Sequence, residues 1–276
     1  MIQYTPLKEA FSIGNFTIYS WGLVFVLVFL LGFFLVLKEA RKKRIDERHI
    51  YNIALLILIG TIAGGRLFHV LGNFRFYFQN PAEIFMLSHG GMASYGGILF
   101  ALLFIWLYAR KQNNIQFLEI LDLFAPYVVL SIALGRIGCF LNWCCYGAAS
   151  SLPWAIKVAG DVPRHPSQIY ELIAGLIIFF ILIKIKGGKE KKDMSMKFRK
   201  SKFFDFDLIH EDSFINKQME KPGSMFLLFL ALYSLFRFAT DFTRFYDARF
   251  LGLAWPSQWF CIAIFVFSAA ALIRRK

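Results

Sequence analysis

Long polar stretches are nearly missing from this chain. It is 58% hydrophobic and only 18% charged over 276 residues, with a mean hydropathy of +0.54, which excludes a soluble globular domain. Internal repeats are absent too, which argues against a transporter built from duplicated halves. The four cysteines include no CxxC pair, and the spacing Cys139-x4-Cys144-Cys145 has no matching histidine set. That argues against a structural zinc site. The first apolar run lacks a basic n-region and an A-x-A-like end, so it reads as a retained helix and not a signal peptide. Acidic residues are scarce, 18 against 31 Lys and Arg, for a net charge of +13. Nothing in that excess forms a folded basic face, so nucleic acid is not an expected partner.

What is present is a series of apolar runs, each near the roughly 20 residues that span a bilayer core. They cover 16–37, 51–72, 92–109, 115–140, 167–186, 225–245 and 255–273. The expected fold class is an all-α integral membrane protein of seven transmembrane helices forming one polytopic domain over 1–276. With the amino terminus outside and the carboxyl terminus cytoplasmic, 22 of the 31 Lys and Arg fall in the cytoplasmic segments 38–50, 110–114, 184–224 and 274–276. This is a positive-inside pattern, and it draws the protein to an anionic inner leaflet. Segments 73–91 and 141–166 read as external caps over a site that opens outward. Segment 187–222 is the single long cytoplasmic insertion; either it is a solvated loop or its basic half and Phe203, Phe204 and Phe206 lie against the lipid surface.

Arginine within the spans carries the functional signal. A guanidinium keeps its proton, and a charged side chain costs about 2.5–3.5 kcal/mol at a helix centre. Arg136 and Arg237 are kept nonetheless, which points to an anion, and lipid phosphate is the anion a bilayer supplies. Gly135 and Gly138 flank Arg136 and clear space for a head group; snorkelling to the interface is the plainer alternative. Tyr233, Arg237 and Asp241 recur at i, i+4 and i+8 and so share a helix face, with Arg244 three residues on. Asp241 reads both as the partner that orients Arg237 and as a helix-stabilising carboxylate. Asp122 lies in the inner third of the fourth span, before Pro126. Tyr95 sits between glycine pairs at 90–91 and 96–97, which serve close helix packing or ligand approach. Arg164-His165-Pro166-Ser167-Gln168 leads into the fifth helix, with Ser167 as a candidate cap and Glu171 one turn in.

Together these segments resemble the bacterial prolipoprotein diacylglyceryl transferases over most of residues 16–275. Residues 135–147, GRIGCFLNWCCYG, are similar to that family's signature G-R-x-G-N-F-x-N-x-E-x-x-G. Residues 90–97, GGMASYGG, resemble its G-G-M-S-F-H-G-G, and RHPSQIYE at 164–171 is nearly identical with its fifth-helix motif. Tyr233, Arg237 and Asp241 match a Tyr-Arg-Glu triplet, and Asp122 matches an Asp fourteen residues before the signature arginine. The resemblance implies seven membrane helices in the bacterial cytoplasmic membrane and no metal or cofactor. It also implies transfer of the diacylglyceryl group of phosphatidylglycerol to the lipobox cysteine of a preprolipoprotein, with release of glycerol 1-phosphate. Arg136 would contact the lipid phosphate, helped by Asn142, Tyr233, Asp122, Glu171 and His165. Arg237, Asp241 and Tyr95 would stand at the reacting centre.

The chain departs from the family where its histidine is replaced by Tyr95, its first signature Asn by Cys139 and its signature Glu by Cys144; Trp21 matches a tyrosine. A tyrosine titrating near 10 is a poor base at neutral pH, so Tyr95 is expected to orient by hydrogen bonding. The proton then leaves through His89, Glu171 or water. Cys139, Cys144 and Cys145 read as inert small residues, with a disulfide left open. A lipid or small-anion permease is the rival reading, and the scarcity of polar groups in the inner halves of helices 1, 3 and 7 speaks against it.

Overall fold

The computed structural model describes residues 2–14, 16–86, 90–112, 114–195, 221–244, 249–250, 253–254 and 256–274. The chain forms two compact units, one from residues 1–35 and 121–276 and the other from residues 36–120. His89, as well as Phe203, Phe204, Phe206 and most of the 187–222 insertion, lies outside the described residues.

In the larger unit, β1 (Ile2–Tyr4) pairs in parallel with β4 (Ile156–Val158). The next strands, β2 (Glu9–Ile13) and β3 (Phe16–Tyr19), form an antiparallel hairpin. The first membrane helix therefore begins later than hydropathy alone indicates. Phe-Thr-Ile-Tyr at 16–19 is β-branched and aromatic and goes into a strand, whereas α1 runs over Ser20–Lys42. Helix α5 covers Phe117–Leu141 and continues through Pro126. Helix α6 covers Ser167–Ser195, nine residues past its expected end at 186, because Lys-Glu-Lys-Lys after the glycine pair are good helix formers. Helices α7 (Ser224–Asp241) and α8 (Ser257–Arg274) complete the unit, with a small pair β5 (Arg249–Phe250) and β6 (Leu253–Ala254) between them.

The core of this unit is the seam where α5, α6 and α7 meet. Ala125 and Val129 of α5, Ile178 and Leu182 of α6 and Met225 and Phe229 of α7 are buried together. Gly175 permits the approach of α6 to α5, since a Cβ there would stand 2.7 Å from the Ala133 Cβ. Asp122 accepts hydrogen bonds from the backbone N–H groups of Gly223 at 2.6 Å and Phe226 at 2.8 Å. It thereby satisfies donors at the start of α7 that would otherwise be orphaned in the apolar seam.

In the smaller unit, α2 (Glu47–Gly72) crosses α4 (Ser94–Lys111) at a glycine contact. Gly64 lies so close to Gly96 that a Cβ on either would collide with the other's carbonyl oxygen. The packing role of the 96–97 pair is thus the one realised. Gly64→Val should therefore overpack the crossing at a cost of about 1–3 kcal/mol. Thermal unfolding in detergent measures this, and an unchanged melting temperature would contradict the contact. Helix α3 (Phe74–Gln79) and a 3₁₀ turn (Pro81–Phe85) follow α2. Buried Arg66 binds this connection, donating to the carbonyls of Glu83, Ile84, Met86, Gly90 and Gly91. Arg66 is a structural arginine, its five donors spent on backbone.

Among the described residues, six helices are long and apolar enough to cross a membrane: α1, α2, α5, α6, α7 and α8. The protein is accordingly a mostly helical, multi-pass membrane protein. The expected seventh, α4, exists, but its 18 residues open on Ser-Tyr-Gly-Gly and end on Arg110-Lys111. Both ends dilute its hydropathy, and at 1.5 Å per residue it reaches about 27 Å.

Candidate active site

Three elements of the larger unit converge on one carboxylate. The Glu171 Oε2 atom lies 2.7 Å from Arg136 Nη2. Its Oε1 accepts from Arg237 Nη1 at 2.8 Å and from Arg244 Nε at 2.8 Å, and Arg244 Nη2 also reaches it. Asp241 takes the second share, 3.1 Å from Arg237 Nη2 and 4.0 Å from Arg244 Nε. Ser257, the first residue of α8, donates to the other oxygen of Asp241.

Local sequence explains each placement. Arg237, Asp241 and Arg244 are spaced four and three apart, so all three leave one face of α7 and its end. Glu171 sits one turn into α6, pointing across the seam. Arg136 comes from the last third of α5. The Asp241 side chain is fully buried and that of Glu171 is 7% exposed, while the three arginines are 14–18% exposed. Buried carboxylates need such partners, because an unpaired charge in low dielectric costs several kcal/mol. Among the described residues, three guanidinium groups on two carboxylates leave one positive charge in excess. In addition, the Nε–H of Arg136 is buried with no hydrogen-bond partner among the described residues.

A shallow, partly open groove lies beside the cluster, with Glu171, Tyr233, Arg237 and Thr240 at its polar part and Ile132, Ile178 and Phe236 on its apolar walls. A polar end joined to apolar walls suits an amphiphile better than a soluble metabolite. Tyr233 also lies within electrostatic reach of Arg136.

The connection between α5 and α6 closes over the end of α7. Gly147 bridges to Arg244 and His165 bonds back to Ala148. Gly147 has to be glycine, since a Cβ there would collide with the Thr243 carbonyl, Ser167 Oγ and His165. The Ser167 hydroxyl pairs with that of Thr243 at 3.0 Å, tying α6 to α7 where a helix cap was expected. His165 Nδ1 lies 3.3 Å from the Tyr170 hydroxyl, which accepts from Trp154 at 2.8 Å. Asn142 follows α5 directly, and its backbone N–H bonds the Gly138 carbonyl at 3.0 Å. The thiol of Cys145 is held below its usual range, first by hydrogen bonds from Cys139 and Cys144 and then by the charges of Arg244 and Arg136.

Of the residues singled out from sequence, Arg136, Glu171, Tyr233, Arg237 and Asp241 are brought together. Asp122 is engaged in capping α7. Tyr95 is the second residue of α4, exposed, in the smaller unit. Arg244 was left out of the expected site although it belongs to the cluster; its position seven residues after Arg237 was the available signal.

The family model described as prolipoprotein diacylglyceryl transferase matches residues 8–204 and 207–274. A phosphatidylglycerol–prolipoprotein diacylglyceryl transferase of Finegoldia magna is 30% identical over 269 residues, covering 98% of this chain and 96% of that protein. The same-named protein of Methylococcus capsulatus is 30% identical over 292 residues, covering 100% of both chains. That of Geobacter sulfurreducens is 31% identical over 252 residues, covering 89% of this chain and 85% of its own.

Proposed function

Since this chain belongs to the prolipoprotein diacylglyceryl transferase family, we propose that it transfers the diacylglyceryl group of phosphatidylglycerol to the lipobox cysteine of preprolipoproteins. The observation that carries this reading is the cluster in which Arg136, Arg237 and Arg244 outnumber Glu171 and Asp241 beside an amphipathic groove. In the reaction the lipobox sulfur attacks the glycerol carbon bound to phosphate. The new S–C bond forms, the C–O bond breaks, and its electron pair leaves on glycerol 1-phosphate. The phosphate passes from one negative charge to nearly two. Guanidinium donors already fixed in a site of low dielectric stabilise that added charge more than they stabilise the bound diester.

In this reading the phosphate meets Arg136 through the free Nε–H, with Arg237 as the second cation and Asp241 and Glu171 as the carboxylates that hold both in place. Tyr233 lines the head-group end. Asn142 and His165 position the connection above it, and Asp122 acts through the placement of α7. The thiol proton passes to water, because protonating Glu171 would release the three guanidinium groups that it holds. We take α4 as the seventh span, the amino terminus as outside, the cytoplasmic membrane of a bacterium as the location, and segments 73–91 and 141–166 as external caps.

The test is a labelling assay. Purified protein receives phosphatidylglycerol labelled in its diacylglyceryl group together with a lipobox peptide. Label should move to the cysteine peptide and not to one carrying serine in its place. Equal transfer to both would refute thiol alkylation.

A further inference from the structure

The three cysteines that the spacing treats as inert share one point in space. The sulfur atoms of Cys139, Cys144 and Cys145 lie within 4.8 Å of one another. All three are free thiols. Cys139 lies in the last turn of α5, and the Cys144 N–H returns to its carbonyl at 2.9 Å. Trp143 and Cys145 both take left-handed backbone, with φ of 50° and 60°. Non-glycine residues adopt that conformation at a cost of roughly 1–3 kcal/mol each, and here the double turn swings Cys144 and Cys145 back over the end of α5. The Gln168 amide, itself buried, holds the Cys144 carbonyl at 2.8 Å.

The geometry points to a three-thiolate site for a soft d10 cation, with Cu(I) as the fitting ion. A planar three-sulfur site with bonds of about 2.3 Å places its sulfurs about 4.0 Å apart, so the observed cluster closes with a sub-ångström contraction. Thiolates select Cu(I) and Zn(II) among the available metals. Zn(II) in a structural site asks for a fourth ligand. Among the described residues no fourth His, Cys, Asp or Glu atom joins the group. Cu(I) is content with three. Loading forms three Cu–S bonds and releases the thiol protons to solvent, with copper staying in the +1 state. The product is a dianion. Cys145 is exposed while Cys139 and Cys144 are half-buried, which provides a way in and a partly desolvated seat. The proposal does not rest on the transfer reaction.

The test uses the full-length protein in detergent, reduced, freed of reductant and titrated without oxygen against the Cu(I)–bicinchoninate complex. The reduced chain should withdraw one copper per protein, and X-ray absorption should count three sulfur neighbours. Cys261→Ser, which removes the fourth cysteine, should bind as the unsubstituted chain does. A Cys139→Ser/Cys145→Ser double variant should leave the copper on the chelator. Copper left on the chelator by the unsubstituted reduced chain, or a sulfur count below three, overturns the proposal without any variant. Undiminished binding by the double variant would place the metal elsewhere and overturn it as well.

Discussion

Arg136→Ala is expected to lower the turnover of diacylglyceryl transfer by about 10²–10³-fold, the usual cost of one fixed donor to a developing oxyanion. The structure makes this substitution readable. Arg237 and Arg244 still hold Glu171 when Arg136 is gone, so no carboxylate is stranded and the fold should survive. What disappears is the excess cation, because two guanidinium groups then face two carboxylates. The loss should fall mainly on kcat, since the interaction strengthens as the phosphate gains charge. Arg136→Lys should recover only a small part, because an ammonium lacks the forked donors that grip a phosphate. The measurement is kcat and KM with labelled phosphatidylglycerol, alongside thermal unfolding. An alanine variant with undiminished kcat would remove Arg136 from the reaction.

Glu171→Gln is expected to act first on stability and through it on activity. The carboxylate joins α5, α6 and the end of α7 through Arg136, Arg237 and Arg244. Among the described residues, neutralising it leaves three guanidinium groups with Asp241 as the remaining carboxylate in this cluster. Removing one partner from a buried charge network costs about 3–5 kcal/mol, because the surviving charges keep their desolvation penalty and lose their attraction. The melting temperature in detergent should fall by several degrees, and transfer should fall with it. Glu171→Asp keeps the charge with a shorter reach and should lie between the two. A glutamine variant as stable as the parent chain would mean that solvent or lipid already screens the arginines, and the low-dielectric account of the site would be lost.

Parts of this site were legible without coordinates. Arg237 and Asp241 lie four apart on one helix, so their contact follows from helical geometry alone. The cost of arginine in a membrane span made Arg136 a functional candidate before any contact was known. The central role of Glu171 was not legible. A glutamate one turn into a helix reads locally as a favourable dipole position, and its three cationic partners are 35, 66 and 73 residues away in sequence. Asp122 had the same limitation. Nothing near it in sequence indicates that its carboxylate would meet the N–H groups of Gly223 and Phe226. Arg244 is within local reach, three residues after Asp241, but its spacing alone does not show that it meets Glu171.

Hydropathy misjudged ends more than elements. Residues 16–19 count as apolar whether they form a helix or a hairpin, because hydropathy scores composition and not backbone conformation. The partner strand at Glu9–Ile13 decided the outcome. The 196–220 part of the long insertion lies outside the described residues.

What composition and spacing determined by themselves was the membrane-spanning class, most of the helices and the arginines that have to be accounted for, since each follows from the cost of placing charge or backbone in hydrocarbon. Tertiary structure alone decided that Arg136, Arg237 and Arg244 meet on one carboxylate and that three cysteines share one point. Those meetings depend on how α5, α6 and α7 pack and on the turn after α5, and packing is a property of contacts between segments that no single segment encodes.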